Sequence, residues 1–220
     1  MARPRSPAGR ARETHERLKR EYPAHCALVH QNPYELLVAT ILSAQCTDER
    51  VNMVTPEVFA RYPTPFELAE ADPADVERLI QSTGFFRNKT KSLLGMAQAV
   101  ADRHSGEIPF RMSELVRIPG VGRKTANVVR SVAFGLPGLP VDTHVTRLSR
   151  RLGLTEATDP VVIERELNPM IPAAERGDFS LRMILHGRQV CLARRPRCDD
   201  CVLNDFCPSA FSFPPPASRG

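Results

Sequence analysis

Helix-starting signals recur along this chain at intervals that leave room only for short helices. Asn32-Pro33, Asp72-Pro73, Ser113, Asp142 and Pro160 each open a set of apolar residues at helical period. An Asn, Asp or Ser side chain accepts an otherwise unpaired N–H of the first turn, and a proline there gives up a hydrogen bond that the turn could not make. The expected helices run over 33–43 (Leu36, Leu37, Ile41), 48–61 (Val51, Val54, Val58, Phe59), from Pro73 through Val76 and Ile80, 89–103 (Leu93, Met96, Val100), from Ser113 to Ile118, from Val121 or Gly122 to Phe134, and over 142–152, 160–170 and 176–190. Gly135 and Gly153 are the stops of two of them. Asn-Gly hairpins and sustained apolar–polar alternation are missing, and no repeat of fixed period is seen. The expectation is an all-α fold. At 220 residues and 42% apolar, the chain can bury one large core or two small ones.

No apolar run approaches the roughly 20 residues of a membrane-spanning helix. The first residues, Met-Ala-Arg-Pro-Arg-Ser-Pro, lack the apolar stretch of a secretory signal. A soluble intracellular protein with no membrane partner is expected. Residues 1–10 and 209–220, rich in Pro, Ser and Gly or Arg, read as a disordered basic arm and a disordered tail.

The net charge of +5 is unevenly spread. Residues 1–20 carry a net +5 and residues 32–110 a net −4. Residues 111–151 hold eight Lys and Arg against Glu114 and Asp142 alone. Such a block suits a polyanion; it also suits a merely solvated helix face.

Inside that block lies Leu115-Val-Arg-Ile118-Pro-Gly120-Val121-Gly122-Arg123-Lys124-Thr125-Ala, which joins two short helices. The glycines permit a tight turn, and N–H groups of Gly120 and Gly122 beside a helix start form an anion site to which Thr125 adds a hydroxyl. The pattern is not a P-loop. A plain helical hairpin with no ligand is the other reading. Lys124 sits in the first turn, where the helix N-terminus, neighbouring cations and burial would all favour the neutral, nucleophilic amine. A phosphate contact is the plain alternative for Lys124. Asp142 follows Pro140-Val141 and reads as a helix N-cap, a role compatible with an ionised carboxylate that stabilises a developing cation.

Four cysteines crowd late in the chain, Cys191, Cys198, Cys201 and Cys207, spaced C-x6-C-x2-C-x5-C. Four thiolates suit zinc or an iron–sulfur cluster. Cys26 and Cys46 stand alone and read as small buried residues.

Taken together, these motifs are identified as those of the endonuclease III family of DNA glycosylases. Leu115 to Ala126 resembles its helix-hairpin-helix. Val141-Asp142-Thr-His144-Val resembles its catalytic aspartate motif. Ile41-Leu-Ser-Ala-Gln45-Cys-Thr-Asp48 resembles its early motif, and Ile184-Leu-His-Gly-Arg188 with the four cysteines its iron–sulfur end. The resemblance spans about residues 11–207. It implies two helical domains with a DNA-binding cleft between them, one of residues 32–139 carrying the hairpin and one of 11–31 plus 140–208 around a [4Fe–4S] cluster. It implies base-excision repair, with removal of oxidised pyrimidines from duplex DNA. Lys124 would attack C1′, expel the base and form a Schiff base, and β-elimination would then cut the strand.

The implied partner is double-stranded DNA with damaged bases or abasic sites, bound by a monomer in the cytoplasm, on the nucleoid. Asp142 would assist Lys124 across the cleft. Gln45 would fill the gap left by the flipped base, a place where a helix C-cap is the plain alternative; Asp48 reads as an N-cap. Gly120, Val121, Gly122, Arg123, Thr125 and His144 would meet the DNA, with a structural histidine the alternative at His144. Arg194, Arg195 and Arg197, held by the cysteine loop, would contact the backbone, or form a solvated turn. The rival class is a non-catalytic DNA-binding or redox-sensing iron–sulfur protein, which would have no use for Lys124 with Asp142.

Overall fold

Ser6 caps the first helix and Pro7 opens it, four residues before the expected end of a disordered arm. The structure, a computed structural model, describes residues 3–213. Helices α1 (Pro7–Glu21), α2 (Pro33–Leu42), α3 (Asp48–Arg61), α4 (Pro65–Ala69), α5 (Pro73–Ile80), α6 (Phe86–His104), α7 (Met112–Leu115), α8 (Arg123–Val128), α9 (Thr143–Arg151), α10 (Pro160–Leu167) and α11 (Arg176–Gln189) follow in order. Among the described residues there is no strand.

The basic arm is tied down within its second half. Arg10 donates to Leu152 O at 2.7 Å and to Gly153 O at 2.5 Å. The expected tail is likewise ordered as far as Phe213: Ala210 N–H bonds Cys207 O at 3.1 Å, and the Phe213 ring lies 4.3 Å beneath the Arg151 guanidinium. Residues 1–2 and 214–220, which the expectation of disorder also covered, lie outside the described residues.

Three helices depart from their expected bounds for local reasons. Helix α6 starts at Phe86, ahead of the expected residue 89, because the left-handed Phe85 turns the chain into it without any side-chain cap. Helix α7 is capped by Arg111 with no side-chain hydrogen bond, and Ser113 lies inside it; the chain then tightens through Arg117 N–H to Glu114 O and Ile118 N–H to Leu115 O as it approaches Pro119. Helix α8 gives way at Val129 to a wider turn over Val129–Ala133, where the Ser131 hydroxyl bonds Asn127 O at 2.8 Å.

The chain divides into two compact units, one of Cys26–Gly138 and one of the residues before Cys26 with those from Leu139 on. Each has its own apolar core. In the first, Leu36, Leu37, Leu42, Val58, Leu93 and Met96 are wholly buried, with α2 and α6 at the centre. In the second, α1 and α11 pack with α9 around Leu18, Leu148, Phe179 and Met183. Cys26 and Cys46 are half-buried against the first core.

Candidate nucleic-acid interface and cysteine centre

The glycine turn is built by α6. Val121 N–H closes it onto Ile118 O at 3.1 Å. Gly120 has φ +76, and a Cβ there would stand 2.8 Å from the Ser92 Cβ, so both backbone conformation and packing demand glycine. Gly122 differs: its φ is −83, and a Cβ would meet nothing within 4 Å. The protein itself does not require glycine at 122, but a bare backbone there leaves room for a close ligand. Gly122 is the N-cap of α8, and no side chain caps that end. Asn32, Thr47 and Asp142, by contrast, each cap a helix with a side-chain oxygen. The first-turn N–H groups of α8 thus stay open to an anion.

Lys124, in that first turn, is exposed and makes no hydrogen bond or ion pair with another described residue. The burial expected to favour its neutral form is therefore not supplied by the protein. Thr125 is half-buried, and Arg123 is exposed beside it.

An open cavity of about 290 Å³ lies beside the turn, lined by Gln45, Phe85, Lys89, Ser92, Gly120 and Thr125 among others. Two of its lining residues are non-glycine residues in left-handed backbone, Gln45 at φ 53 and Phe85 at φ 49. Such outliers persist only where the surroundings enforce them and cluster at binding sites. Gln45 is exposed and is not the cap of α2, a place that Ser43 takes. Thr47, not Asp48, caps α3, its hydroxyl accepting Arg50 N–H at 3.2 Å. Phe85 is 62% exposed while the adjacent Phe86 packs on the core. In the sequence Phe85 carries little signal, its only mark being a pair of phenylalanines after Gly84. Lys89 is buried; its Nζ donates to Thr83 O at 2.7 Å, and burial pushes its pKa down.

In the other unit, Asp142 Oδ1 accepts the N–H groups of His144 and Val145, each at 2.8 Å. His144 Nδ1 takes an N–H from Arg147 at 3.1 Å, which leaves the proton of the neutral ring on Nε2. Burial, with Arg147 and Arg188 nearby, lowers the His144 pKa against the pull of Asp142. Gly187 lets α11 approach α9, since a Cβ there would lie 2.8 Å from His144 Nδ1.

Part of the basic block is spent internally. Arg130 donates to Phe110 O at 2.5 Å, Arg147 to Gly187 O at 2.9 Å and Cys191 O at 3.0 Å, and Arg151 to Leu192 O at 2.8 Å. Arg194, Arg195 and Arg197 are exposed, and their side chains have no partner among the described residues.

The four late cysteines line one small pocket that no carboxylate or imidazole lines. Each of the four sulfurs has an N–H group beside it, that of Cys207 being met by the backbone N–H groups of Ser209 and Ala210. Arg151 Nη1 lies 3.3 Å from the Cys191 sulfur, His186 Nε2 3.3 Å from that of Cys201, and the Phe211 N–H 3.5 Å from that of Cys198. Burial pushes the Cys201 thiol up to about 11 and raises that of Cys207. Free thiols there would keep their protons at neutral pH, whereas a bound metal deprotonates its thiol ligands outright. Donors aimed at sulfur match thiolate acceptors. Among the described residues no three His, Cys, Asp or Glu side chains stand close enough to hold one ion. The all-sulfur ligand set fits an iron–sulfur cluster.

Comparison with known proteins agrees with this geometry. Residues 38–173 match the HhH-GPD superfamily of base excision DNA repair proteins, and residues 191–207, bounded by the first and last of the four cysteines, match the iron–sulfur binding domain of endonuclease III. Endonuclease III of Synechocystis sp. is 57% identical over 195 residues, 88% of this chain and 89% of that protein. A solved trapped endonuclease III–DNA covalent intermediate is similar at TM-score 0.87 and 43% identity, covering 92% of this chain and 96% of the other. A non-covalent endonuclease III–DNA complex is similar at TM-score 0.87 and 42% identity, with the same coverage. With its hairpin, its capped aspartate and its ring of four cysteines, the chain belongs to the endonuclease III family of base excision DNA repair proteins.

Proposed function

We propose that Lys124 is the covalent nucleophile of this enzyme and Asp142 the carboxylate that serves it. The chain is a base-excision DNA glycosylase with AP lyase activity and carries a [4Fe–4S] cluster. The observation that carries the assignment is the uncapped start of α8, with an exposed, unpaired lysine in its first turn beside a cavity flanked by Gln45 and Phe85. A phosphate seated on the open N–H groups would place a sugar near Nζ, and the bound duplex would supply the desolvation that the protein does not.

The neutral amine attacks C1′, and the base departs with the C1′–N bond electrons and takes a proton from water. The sugar ring opens to a lysine imine as O4′ takes up the proton lost by the amine, and removal of a C2′ proton then breaks C3′–O and expels the 3′ phosphate by β-elimination, which cuts the strand. The Asp142 carboxylate, oriented by two N–H bonds, stabilises positive charge on the sugar and passes the proton of Lys124 on to O4′. A 43% identical relative has been captured as a covalent intermediate with DNA, which supports a covalent path here.

The substrate is duplex DNA bearing oxidised pyrimidines or abasic sites, met by a monomer at the nucleoid. Flipping a base costs a few kcal/mol. Gln45 and Phe85 fill the gap: a polar side chain for the vacated pairing position, an apolar one to wedge between base steps. Gly120, Val121, Gly122, Arg123 and Thr125 hold one phosphate run, and His144 Nε2–H and Arg194, Arg195 and Arg197 meet the backbone. Cys191, Cys198, Cys201 and Cys207 hold the cluster, which keeps that arginine-bearing loop rigid.

Borohydride reduction tests the central step. Wild-type protein should give a covalent adduct with a duplex containing thymine glycol or an abasic site, and Lys124→Gln should give none while still binding. Binding without any trapping or strand cutting by the wild type would leave only a DNA-binding protein.

A further inference from the structure

We propose that Tyr22 and His186 form a fixed relay that gives the Cys201 sulfur one buried N–H hydrogen bond and so sets the reduction potential of the cluster. The inference rests on Cys201 being a cluster ligand. Tyr22 Oη lies 3.1 Å from His186 Nδ1, and His186 Nε2 lies 3.3 Å from Cys201 Sγ. The two rings meet edge to face at 5.8 Å. His186 is only 1% exposed, so water does not compete for either nitrogen.

The chemistry of the three groups fixes the direction of both hydrogen bonds. A neutral imidazole has one donor nitrogen and one acceptor nitrogen. A metal-bound thiolate can only accept. Nε2 must therefore carry the hydrogen, Nδ1 must present its lone pair, and the Tyr22 hydroxyl must donate to it. Without that hydroxyl, the ring is free to take the other tautomer, which would turn a nitrogen lone pair toward the sulfur. A hydrogen bond to a ligating sulfur draws charge away from the cluster and favours the reduced form.

The relay differs from the contacts that Arg151 and Phe211 make to cysteine sulfur. Arg151 divides its guanidinium between Cys191 and the carbonyls of Leu192 and Ala193, and the Phe211 N–H lies farther away at 3.5 Å on an exposed residue. Among the described side chains that donate to these sulfurs, His186 alone is buried and held from behind; the Leu203 backbone N–H also bonds the Cys201 sulfur, as fixed backbone. Its partner is the residue that ends α1, where Tyr22 O also accepts Arg182 Nε at 3.2 Å. The seating of the first helix on α11 thus reaches the sulfur of the third cysteine.

Voltammetry on the full-length, iron-loaded protein tests this, with iron content and resonance Raman spectra in H2O and D2O measured alongside. Tyr22→Phe and His186→Leu should both lower the midpoint potential at unchanged iron content, His186→Leu by more. The D2O-sensitive shift of an Fe–S(Cys) stretch should disappear in His186→Leu. His186→Gln, whose amide can reach the sulfur, should recover part of the lost potential. If His186→Leu does not fold, Tyr22→Phe decides alone, because it removes one oxygen and no packing. Wild-type potential and Raman shifts in loaded Tyr22→Phe protein would overturn the relay. Wild-type protein that contains zinc and no iron would overturn the cluster assignment, and the relay with it.

Discussion

The carboxylate of Asp142 accepts the backbone N–H of Val145 at 2.8 Å, and the same oxygen takes that of His144. One side chain thus ends a helix and, in our proposal, serves the reaction. The two roles separate by substitution. Asp142→Asn keeps a capping oxygen and removes the charge, so stability should stay within about 0.5 kcal/mol of wild type while turnover falls by about 100-fold or more. Asp142→Ala should lose the same activity and about 1 kcal/mol of stability besides. Thermal melts and single-turnover cleavage measure the two. Equal activity in Asp142→Asn and wild type would reduce Asp142 to a cap.

The two glycines of the hairpin should answer differently to alanine. Gly120→Ala must hold a side chain at φ +76 against Ser92 and should cost roughly 1–3 kcal/mol of stability. Gly122→Ala meets nothing in the protein and should melt within about 0.5 kcal/mol of wild type. Its duplex affinity should nonetheless fall roughly tenfold, since the methyl stands where a phosphate approaches open N–H groups and one charge-assisted hydrogen bond is worth about 1.5–3 kcal/mol. Unchanged affinity in Gly122→Ala would move the phosphate off α8.

Phe85 is too exposed to matter to the core. Phe85→Ala should leave the melting temperature unchanged, yet weaken binding to lesion-containing duplex by about 1–3 kcal/mol, the range for one aromatic–base stack. 2-Aminopurine placed opposite or beside the lesion should report a smaller fluorescence change on binding. An identical signal from variant and wild type would take Phe85 out of the interface.

Acid should loosen the N-terminal helix. Hydrogen bonding from Arg17 holds Asp205 below its ordinary 3.8, and hydrogen bonding from His15 holds Glu175 below its ordinary 4.5. Both folded-state values are depressed, so the stabilisation is complete above the ordinary carboxylate range and is lost as pH falls below it. Arg17 donates to Asp205 at 2.6 Å across a partly exposed pair, worth at most about 1 kcal/mol. Melting temperature should fall between about pH 5 and pH 3, and Arg17→Gln should flatten that slope. A slope unaltered in Arg17→Gln would assign the acid sensitivity elsewhere.

Removing the iron should act on one unit. The four sulfurs would lose their shared partner across an apolar space, and the loop of 191–207 would lose its cross-links. Hydrogen exchange should quicken in that loop and in α11, while the core of Cys26–Gly138, which shares none of these ligands, keeps its protection. Equal exchange in iron-loaded and iron-free protein would deny the cluster a structural role.

Much of the fold could be read in advance because its signals are local. Pro33, Pro73 and Pro160 open helices, and Asp142 caps one, as their side chains dictate. Where the signal is not a side chain, the reading slipped. Helix α6 begins on the left-handed backbone of Phe85, and the expected single helix from the hairpin to Phe134 is broken where the Ser131 hydroxyl bonds the Asn127 carbonyl.

The sequence by itself determined the helical class, the hairpin with Lys124 in its first turn, the late cysteine spacing and the positive block, since each depends on residues near one another in the chain. The tertiary structure alone decided which glycine the fold requires, which arginines are spent on internal carbonyls, that Lys124 is exposed, and that Phe85 stands with Gln45 beside the hairpin. It also brought Tyr22, His186 and Cys201 into one line. Those outcomes depend on burial and on contacts between residues as many as 164 positions apart, and close packing sets them only once every helix has found its neighbours.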